Sequence, residues 1–438
     1  MNSNDKHIYI NIFLHNKGFV PAGVITFNDT LDYSSFSYFS SYMEADLPPL
    51  NPATLNWREG EQRHFVVNKQ QNRQMLDKTF WEILPQQNDW GNQVLISRFP
   101  EYATMNNAQR LYFLGNRIVG GLESFVKHPG IEENINSLDW LEQIHDESID
   151  FHRRYIEKIS YIKAVVPLSS YGGARPKCMY QDENDDLWIA KFNLPDDYYD
   201  MALAEHVAME MSRDVGLPTA KSKIITTSKG QNIFLSKRFD RTGDERFHSL
   251  SLFALAPVND NRKHNSFAPG NPGSLVQFLM RRYSDFADMD TIHIVTKFLL
   301  DIGLNNTDNH LRNLRMILNE DNKWQLSPMY DIVFNPYNQN HVYNPSGLPL
   351  SENYLENPKL IAAMANELSI KPHIIEKQVQ QVKSVLNKWE DYCDAVGMKD
   401  EDKEQIGKAV HIGLYRKDYE PKKQLTLINR PVLKPGKI

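Results

Sequence analysis

Cysteine is nearly absent: the 438-residue chain has two, Cys178 and Cys393. That excludes a disulfide scaffold and any cysteine-rich zinc module, and it suits a reducing compartment. No stretch approaches the roughly 18 consecutive apolar residues of a membrane span. Positive charge is not in excess either. Lys plus Arg is 49 against 55 for Asp plus Glu, a net charge of -6. A globally basic nucleic-acid binder is disfavoured, although a local basic patch is not. The opening residues, Met-Asn-Ser-Asn-Asp-Lys, lack the basic-then-apolar pattern of a secretory leader. A cytoplasmic protein with no membrane contact is therefore expected. Repeats and low-complexity tracts are lacking too. The apolar share, 41%, is ordinary for a globular protein, and the length suits about three domains or two large ones.

The first hundred residues read as β-rich. Strand-like runs at 8–13 and 24–27 flank the turn chemistry of His15-Asn16-Lys17-Gly18. Helical spacing follows near 79–83 and over 138–162. A second module opens near Val165 with a glycine-containing loop, a strand over 187–192 and a helix over 201–215. Gly216-Leu217-Pro218 stops that helix. Strands are expected at 222–226 and 232–236. Residues 257–273 and 335–357 read as loops. From 275 the pattern is mostly helical to about 417, interrupted by a hairpin over 314–326. The tail from Pro421 carries five Lys or Arg and no acid, and reads as extended or poorly ordered.

The chemistry concentrates in Asn306-Thr307-Asp308-Asn309-His310-Leu311-Arg312-Asn313. Asp308 and Asn313 have the Asp-x-x-x-x-Asn spacing of a phosphoryl-transfer loop, in which the Asp orients the attacking hydroxyl and the Asn binds Mg²⁺. The hairpin after it ends in Pro328-Met329-Tyr330-Asp331, which makes Asp331 the second metal-binding carboxylate. Upstream, Ser169-Ser170-Tyr171-Gly172-Gly173-Ala174-Arg175-Pro176-Lys177 is a small-residue loop that lets backbone N–H groups approach phosphate. Lys191 lies inside the apolar run Trp188-Ile189-Ala190-Lys191-Phe192 and needs an anion. Glu205 in the next helix could pair with it. The backbone at Lys237 and Phe239 could meet an adenine edge. Each piece alone has a plainer reading: a turn, an edge lysine, a helix cap, a structural histidine at 310, a solvated helix face at 205. Their order is that of a two-lobed kinase.

Gly-x-Gly-x-x-Gly, His-Arg-Asp and Asp-Phe-Gly are all missing. The loop 169–177, Ile189-Ala190-Lys191-Phe192, Arg238-Phe239-Asp240-Arg241, the 306–313 segment and Leu326-Ser327-Pro328-Met329-Tyr330-Asp331 instead resemble the HipA family, the kinase toxins of bacterial toxin–antitoxin pairs. The resemblance implies an α+β, two-lobed protein-kinase-like fold, with a β-rich N-terminal subdomain (1–110), a small lobe (111–240) and a mostly helical large lobe (241–438). It implies an ATP- and Mg²⁺-dependent serine/threonine protein kinase with Asp308 catalytic. Ser170, Tyr171, Gly172, Gly173, Ala174, Lys191, Lys237, Phe239, His310, Asn313 and Asp331 would bind ATP, with Asn313 and Asp331 as metal ligands. Autophosphorylation at Ser170, or its neighbour Ser169, would place charge where the nucleotide phosphates must sit. The implied partner is a small HipB-like helix-turn-helix antitoxin, which would carry the operator DNA contact. The best-known target in the family is an aminoacyl-tRNA synthetase. One departure is Asn305, where the family usually has Gly; it bears on the local turn and is expected to remove no catalytic group. Two other readings stay open: a catalytically weak corepressor or scaffold, and a kinase of a lipid or small molecule.

Overall fold

The computed structural model describes residues 5–28, 33–56, 64–68, 73–74, 78–85, 89–114, 120–124, 137–156, 173, 175–256, 272–308, 310–337, 355 and 358–415. The N-terminal sheet contains β1 (Asp5–Leu14), β2 (Gly18–Asn28), β3 (Tyr33–Tyr38), β4 (His64–Asn68), β5 (Arg73–Gln74) and β6 (Leu122–Ser124). Their order is β5-β4-β3-β2-β1-β6, antiparallel throughout. Ile8, Ile10, Ile12 and Leu14 alternate along β1 and are all buried, the period-2 pattern of a strand with one face on a core. The β1–β2 register shifts at Ile10/Asn11, and Pro21 of β2 sits at that bulge, where a missing N–H is tolerated.

The second sheet is β7 (Lys177–Gln181), β8 (Leu187–Phe192), β9 (Ser222–Thr226) and β10 (Asn232–Lys237), in the order β7-β8-β10-β9. The helix Met201–Asp214 connects β8 to β9. Its N-cap, Asp200, accepts the Leu203 N–H, and the chain leaves it through Gly216 at φ +88°. A two-stranded ribbon, β11 (Arg241–Thr242) and β12 (Glu245–Arg246), follows. Then β13 (Ser249–Ser251), β14 (Arg315–Leu318) and β15 (Trp324–Leu326) form a small sheet beside the helices Pro272–Tyr283, Ala287–Gly303, Pro358–Glu367, Pro372–Leu386, Trp389–Ala395 and Asp400–Tyr415. Two of these helices touch backbone to backbone. A Cβ on Gly413 would lie 2.0 Å from the Gly303 carbonyl oxygen.

The apolar interior falls into two clusters. One runs without a break from Ile8 and Phe80 of the N-terminal part to Leu300 and Val410 of the helical part. Polar contacts reinforce that junction. Asn51 Nδ2 and Lys78 Nζ donate to the carbonyls of Ala254 and Ala256, and Arg315 pairs with the buried Glu82 at 3.0 Å. The second cluster is smaller. Trp188, Ala190 and Phe192 of β8 and Ile233 and Leu235 of β10 meet Trp90, Val94, Leu141 and Ile144.

Compared with the sequence expectations, the helix near 275 starts earlier, at Pro272, because proline fits the first helical position. The short strands β3–β7 and β11–β13 and the helices Trp90–Arg98 and Asn107–Leu114 carry too little local pattern to have been expected. The helix from Leu138 is described as far as Ile156. The tail, residues 257–271, most of 335–357, and Ser169, Ser170, Tyr171, Gly172 and Ala174 lie outside the described residues.

Candidate active site

Trp188, Ala190 and Phe192 point into the small core, so Lys191 points from the opposite face of β8. There its ammonium meets Glu205 Oε1 and Asp331 Oδ1, each at 2.6 Å. The Lys191 and Glu205 side chains are 14% and 10% exposed, so Glu205 is buried and not on a solvated helix face. Burial alone would lower the Lys191 pKa, but Asp331 and Glu205 outweigh it and hold the ammonium charged. Burial likewise works to raise Asp331, and Lys191 and Lys177 reverse it, keeping that carboxylate well below the usual range. Glu205 is pushed up by its burial, with Lys191 only partly offsetting.

Asp331 adopts φ +56°, a left-handed conformation that a non-glycine residue holds only when its surroundings dictate it. They do so here from two sides. The Tyr330 hydroxyl donates to the Arg312 carbonyl at 2.8 Å. Met329 exchanges backbone bonds with Pro218 and Ala220, which ties this segment to the turn after the Met201–Asp214 helix.

The 306–313 segment follows the helix Ala287–Gly303. Asn305 turns the chain at φ +52°, and its amide donates to the carbonyls of Asn335 and Tyr337. Asparagine tolerates this conformation better than other side-chain-bearing residues, so a left-handed turn of the kind glycine favours forms here with a side chain. Asp308 is 68% exposed and stands 3.8 Å from His310 Nε2. Asn313 is buried, and its Nδ2 donates to the Asp308 carbonyl at 2.9 Å, so Oδ1 is turned the other way. Asn313 Oδ1 and the Asp331 carboxylate are hard oxygen donors of the kind Mg²⁺ takes together with nucleotide phosphates. Among the described residues no group of three or more His, Cys, Asp or Glu side chains is placed to hold a metal alone.

At the expected adenine edge, the Lys237 N–H donates to the Lys221 carbonyl at 2.8 Å and is used within the small lobe. Its ammonium pairs with Asp186 at 2.5 Å. The Phe239 ring packs on Tyr330. Of the phosphate loop, Gly173 is described. Its φ is +98°, and a Cβ there would meet Lys177 Nζ at 2.6 Å.

Three residues of this site were not singled out from sequence. Lys177 lies directly across from Lys191 in the β7–β8 register and is buried. Its burial and then the Lys191 charge lower its pKa to about 8. Only that register could have disclosed it. Asp89 Oδ1 accepts the Gly173 N–H at 2.9 Å, and the Trp90 N–H donates to the Gly173 carbonyl at 3.0 Å. These contacts span more than eighty residues of sequence and have no local sign.

A family model for the HipA-like C-terminal domain matches residues 169–389, half of the chain. The chain belongs to the HipA-like family. The toxin YjjJ of Escherichia coli (strain K12) is 28% identical to this HipA-like chain over 177 residues, which span 38% of the chain and 38% of that relative. HipA of Shewanella oneidensis MR-1, solved with HipB and its operator DNA, superposes with a TM-score of 0.66 at 14% identity, over 93% of this chain and 96% of that one. The HipA-like chain thus has the α+β, two-lobed kinase-like fold. No helix among its described residues is long and apolar enough to cross a membrane.

Proposed function

We propose that this HipA-like chain is an ATP- and Mg²⁺-dependent serine/threonine protein kinase and the toxin of a toxin–antitoxin pair. The observation that carries the reading is the bridge from Lys191 to Glu205 and Asp331, beside a segment that presents Asp308 to solvent and turns Asn313 inward. In this reading residues 1–110 form a β-rich subdomain, 111–240 the small lobe and 241–438 the large lobe. Lys191 and the phosphate loop, supported by Lys177, receive the nucleotide phosphates, and the base meets the backbone at Phe239 and, because its N–H is held by Lys221, only the carbonyl side of Lys237. Asn313 and Asp331 would hold Mg²⁺, which when bound neutralises charge on the phosphates. Asp308 accepts the proton of the substrate hydroxyl as its oxygen bonds the γ-phosphorus and the bond to ADP breaks. His310 beside it steadies that carboxylate. The intact set Lys191, Asp308, Asn313 and Asp331 favours an enzyme over a scaffold.

Ser170, or Ser169, is the proposed site of self-limiting autophosphorylation. The proposed partner is a small HipB-like helix-turn-helix antitoxin, through which operator DNA is reached, and the proposed target is a translation-related protein such as an aminoacyl-tRNA synthetase. The test is intact-mass and peptide mass spectrometry after incubation with Mg-ATP, on wild type and Asp308→Asn in parallel. Phosphate on the 169–170 loop in wild type alone is expected. No phosphate on either protein, with ATP binding intact, would overturn the reading.

A further inference from the structure

Below the 306–313 segment lies a charged pair to which the proposed reaction gives no role. Lys297 and Asp301 are one turn apart on the helix Ala287–Gly303, and their side chains are 1% and 0% exposed. Lys297 Nζ donates to both carboxylate oxygens, at 2.5 and 2.6 Å. Burying two charges is costly, and a well-packed apolar pair is often as stable or more so, so stability alone does not account for them.

Asp301 has a further partner. Its Oδ1 accepts from Asn306 Nδ2 at 2.9 Å, and its backbone carbonyl accepts the Asn306 N–H at 2.8 Å. Asn306 is itself fully buried, and its Oδ1 accepts the backbone N–H of Asp308 at 3.0 Å. An ionised carboxylate only accepts, so it dictates which end of the Asn306 amide faces it. The amide oxygen is then left for Asp308. Burial pushes the Asp301 pKa up, and Lys297 and Asn306 oppose that shift.

We propose that Asp301 is a positioning residue: paired with Lys297, it fixes the Asn306 amide and, through it, the backbone that carries Asp308. The inference rests on the proposed role of Asp308. The test compares Asp301→Asn, Asn306→Asp and the double variant in the full chain. Each single change sets like groups against each other or unpairs Lys297. The double change restores a donor facing an acceptor between 301 and 306 and keeps one carboxylate near Lys297, although the amide at 301 can accept only one of the two Lys297 bonds; the new carboxylate at 306 still accepts the Asp308 N–H. For the single variants kcat should fall about tenfold or more with KM for ATP nearly unchanged, and the double variant should recover part of it. Hydrogen exchange at the Asp308 amide should speed up in the single variants and slow again in the double.

Single variants that keep wild-type kcat and Asp308 protection would overturn the proposal. So would a double variant no better than the worse single one by either readout. If Asp301→Asn does not fold, Asn306→Asp against the double variant decides. If wild type transfers no phosphate, the proposed function fails, and the amide-exchange comparison still decides the positioning.

Discussion

Replacing Lys191 with Met removes the cation and keeps much of the side-chain volume. Glu205 and Asp331 then face each other. Both oxygens lie 2.6 Å from the one nitrogen, so they can be no more than about 5 Å apart. At an effective dielectric constant of about 20, two such charges repel by about 3 kcal/mol, a repulsion that Lys191 offsets in the wild type and nothing offsets in the variant. Asp331 is 34% exposed, so water screens part of this, and a loss of about 2 kcal/mol is expected at pH 8. That repulsion raises one carboxylate pKa in the folded variant. A raised folded-state pKa favours folding at low pH, and the benefit disappears as pH rises through it. The wild type behaves in the opposite sense. Lys191 and Lys177 overcome burial to depress Asp331, so its contribution is present at neutral pH and is lost on acidification below the ordinary aspartate range. The stability gap between wild type and variant should therefore narrow to about 1 kcal/mol or less at pH 5. Urea unfolding followed by circular dichroism, in metal-free buffer at both pH values, measures it. A gap that is unchanged or wider at pH 5 would refute the reasoning.

Asp308→Asn should leave the unfolding free energy in urea within about 0.5 kcal/mol of wild type, because the side chain is largely exposed. A larger loss would mean a structural role. Asn305→Ala should cost more than Asn305→Gly by about 1 kcal/mol, since both lose two hydrogen bonds and only alanine meets the left-handed penalty. Equal stabilities in thermal unfolding would contradict this. Gly413→Ala should cost about 2 kcal/mol or more, because its Cβ meets the Gly303 carbonyl between two packed helices. A wild-type Tm would show that the helices can part freely.

How much of this was legible in the sequence depends on how local each feature is. The apolar run through Ile8, Ile10 and Ile12, and the helical stretch stopped by Gly216-Leu217-Pro218, declare β1 and a helix from neighbouring residues alone. The order of Lys191, Asp308, Asn313 and Asp331 is legible because each stands in a short, chemically specific setting. β6 is three residues long and exists only because β1, more than a hundred residues earlier, supplies its partner. Glu205 reads alone as a surface residue. Its burial comes from Lys191 and from a helix in which Ala202, Ala204, Val207, Ala208 and Met211 are buried as well. Lys297 and Asp301 have the spacing of many surface ion pairs, nothing local marks them in the sequence, and only their burial in the folded chain makes the pair unusual.

The junction between the N-terminal part and the rest bears on how such proteins can diversify. Asp89 and Trp90 hold Gly173, Glu82 holds Arg315, and Lys78 reaches the Ala256 carbonyl. A fragment beginning at residue 169 would keep Lys191, Asp308, Asn313 and Asp331, yet it would leave those three attachments unmade and open a face of the larger core to water. The stretch of chain that the family model matches is therefore smaller than the stretch whose contacts close this core. Exchange of N-terminal segments between relatives would keep these attachments only if residues 78–98 travelled with the C-terminal part, and the reach of Asn51 to the Ala254 carbonyl moves the crossover point further upstream still.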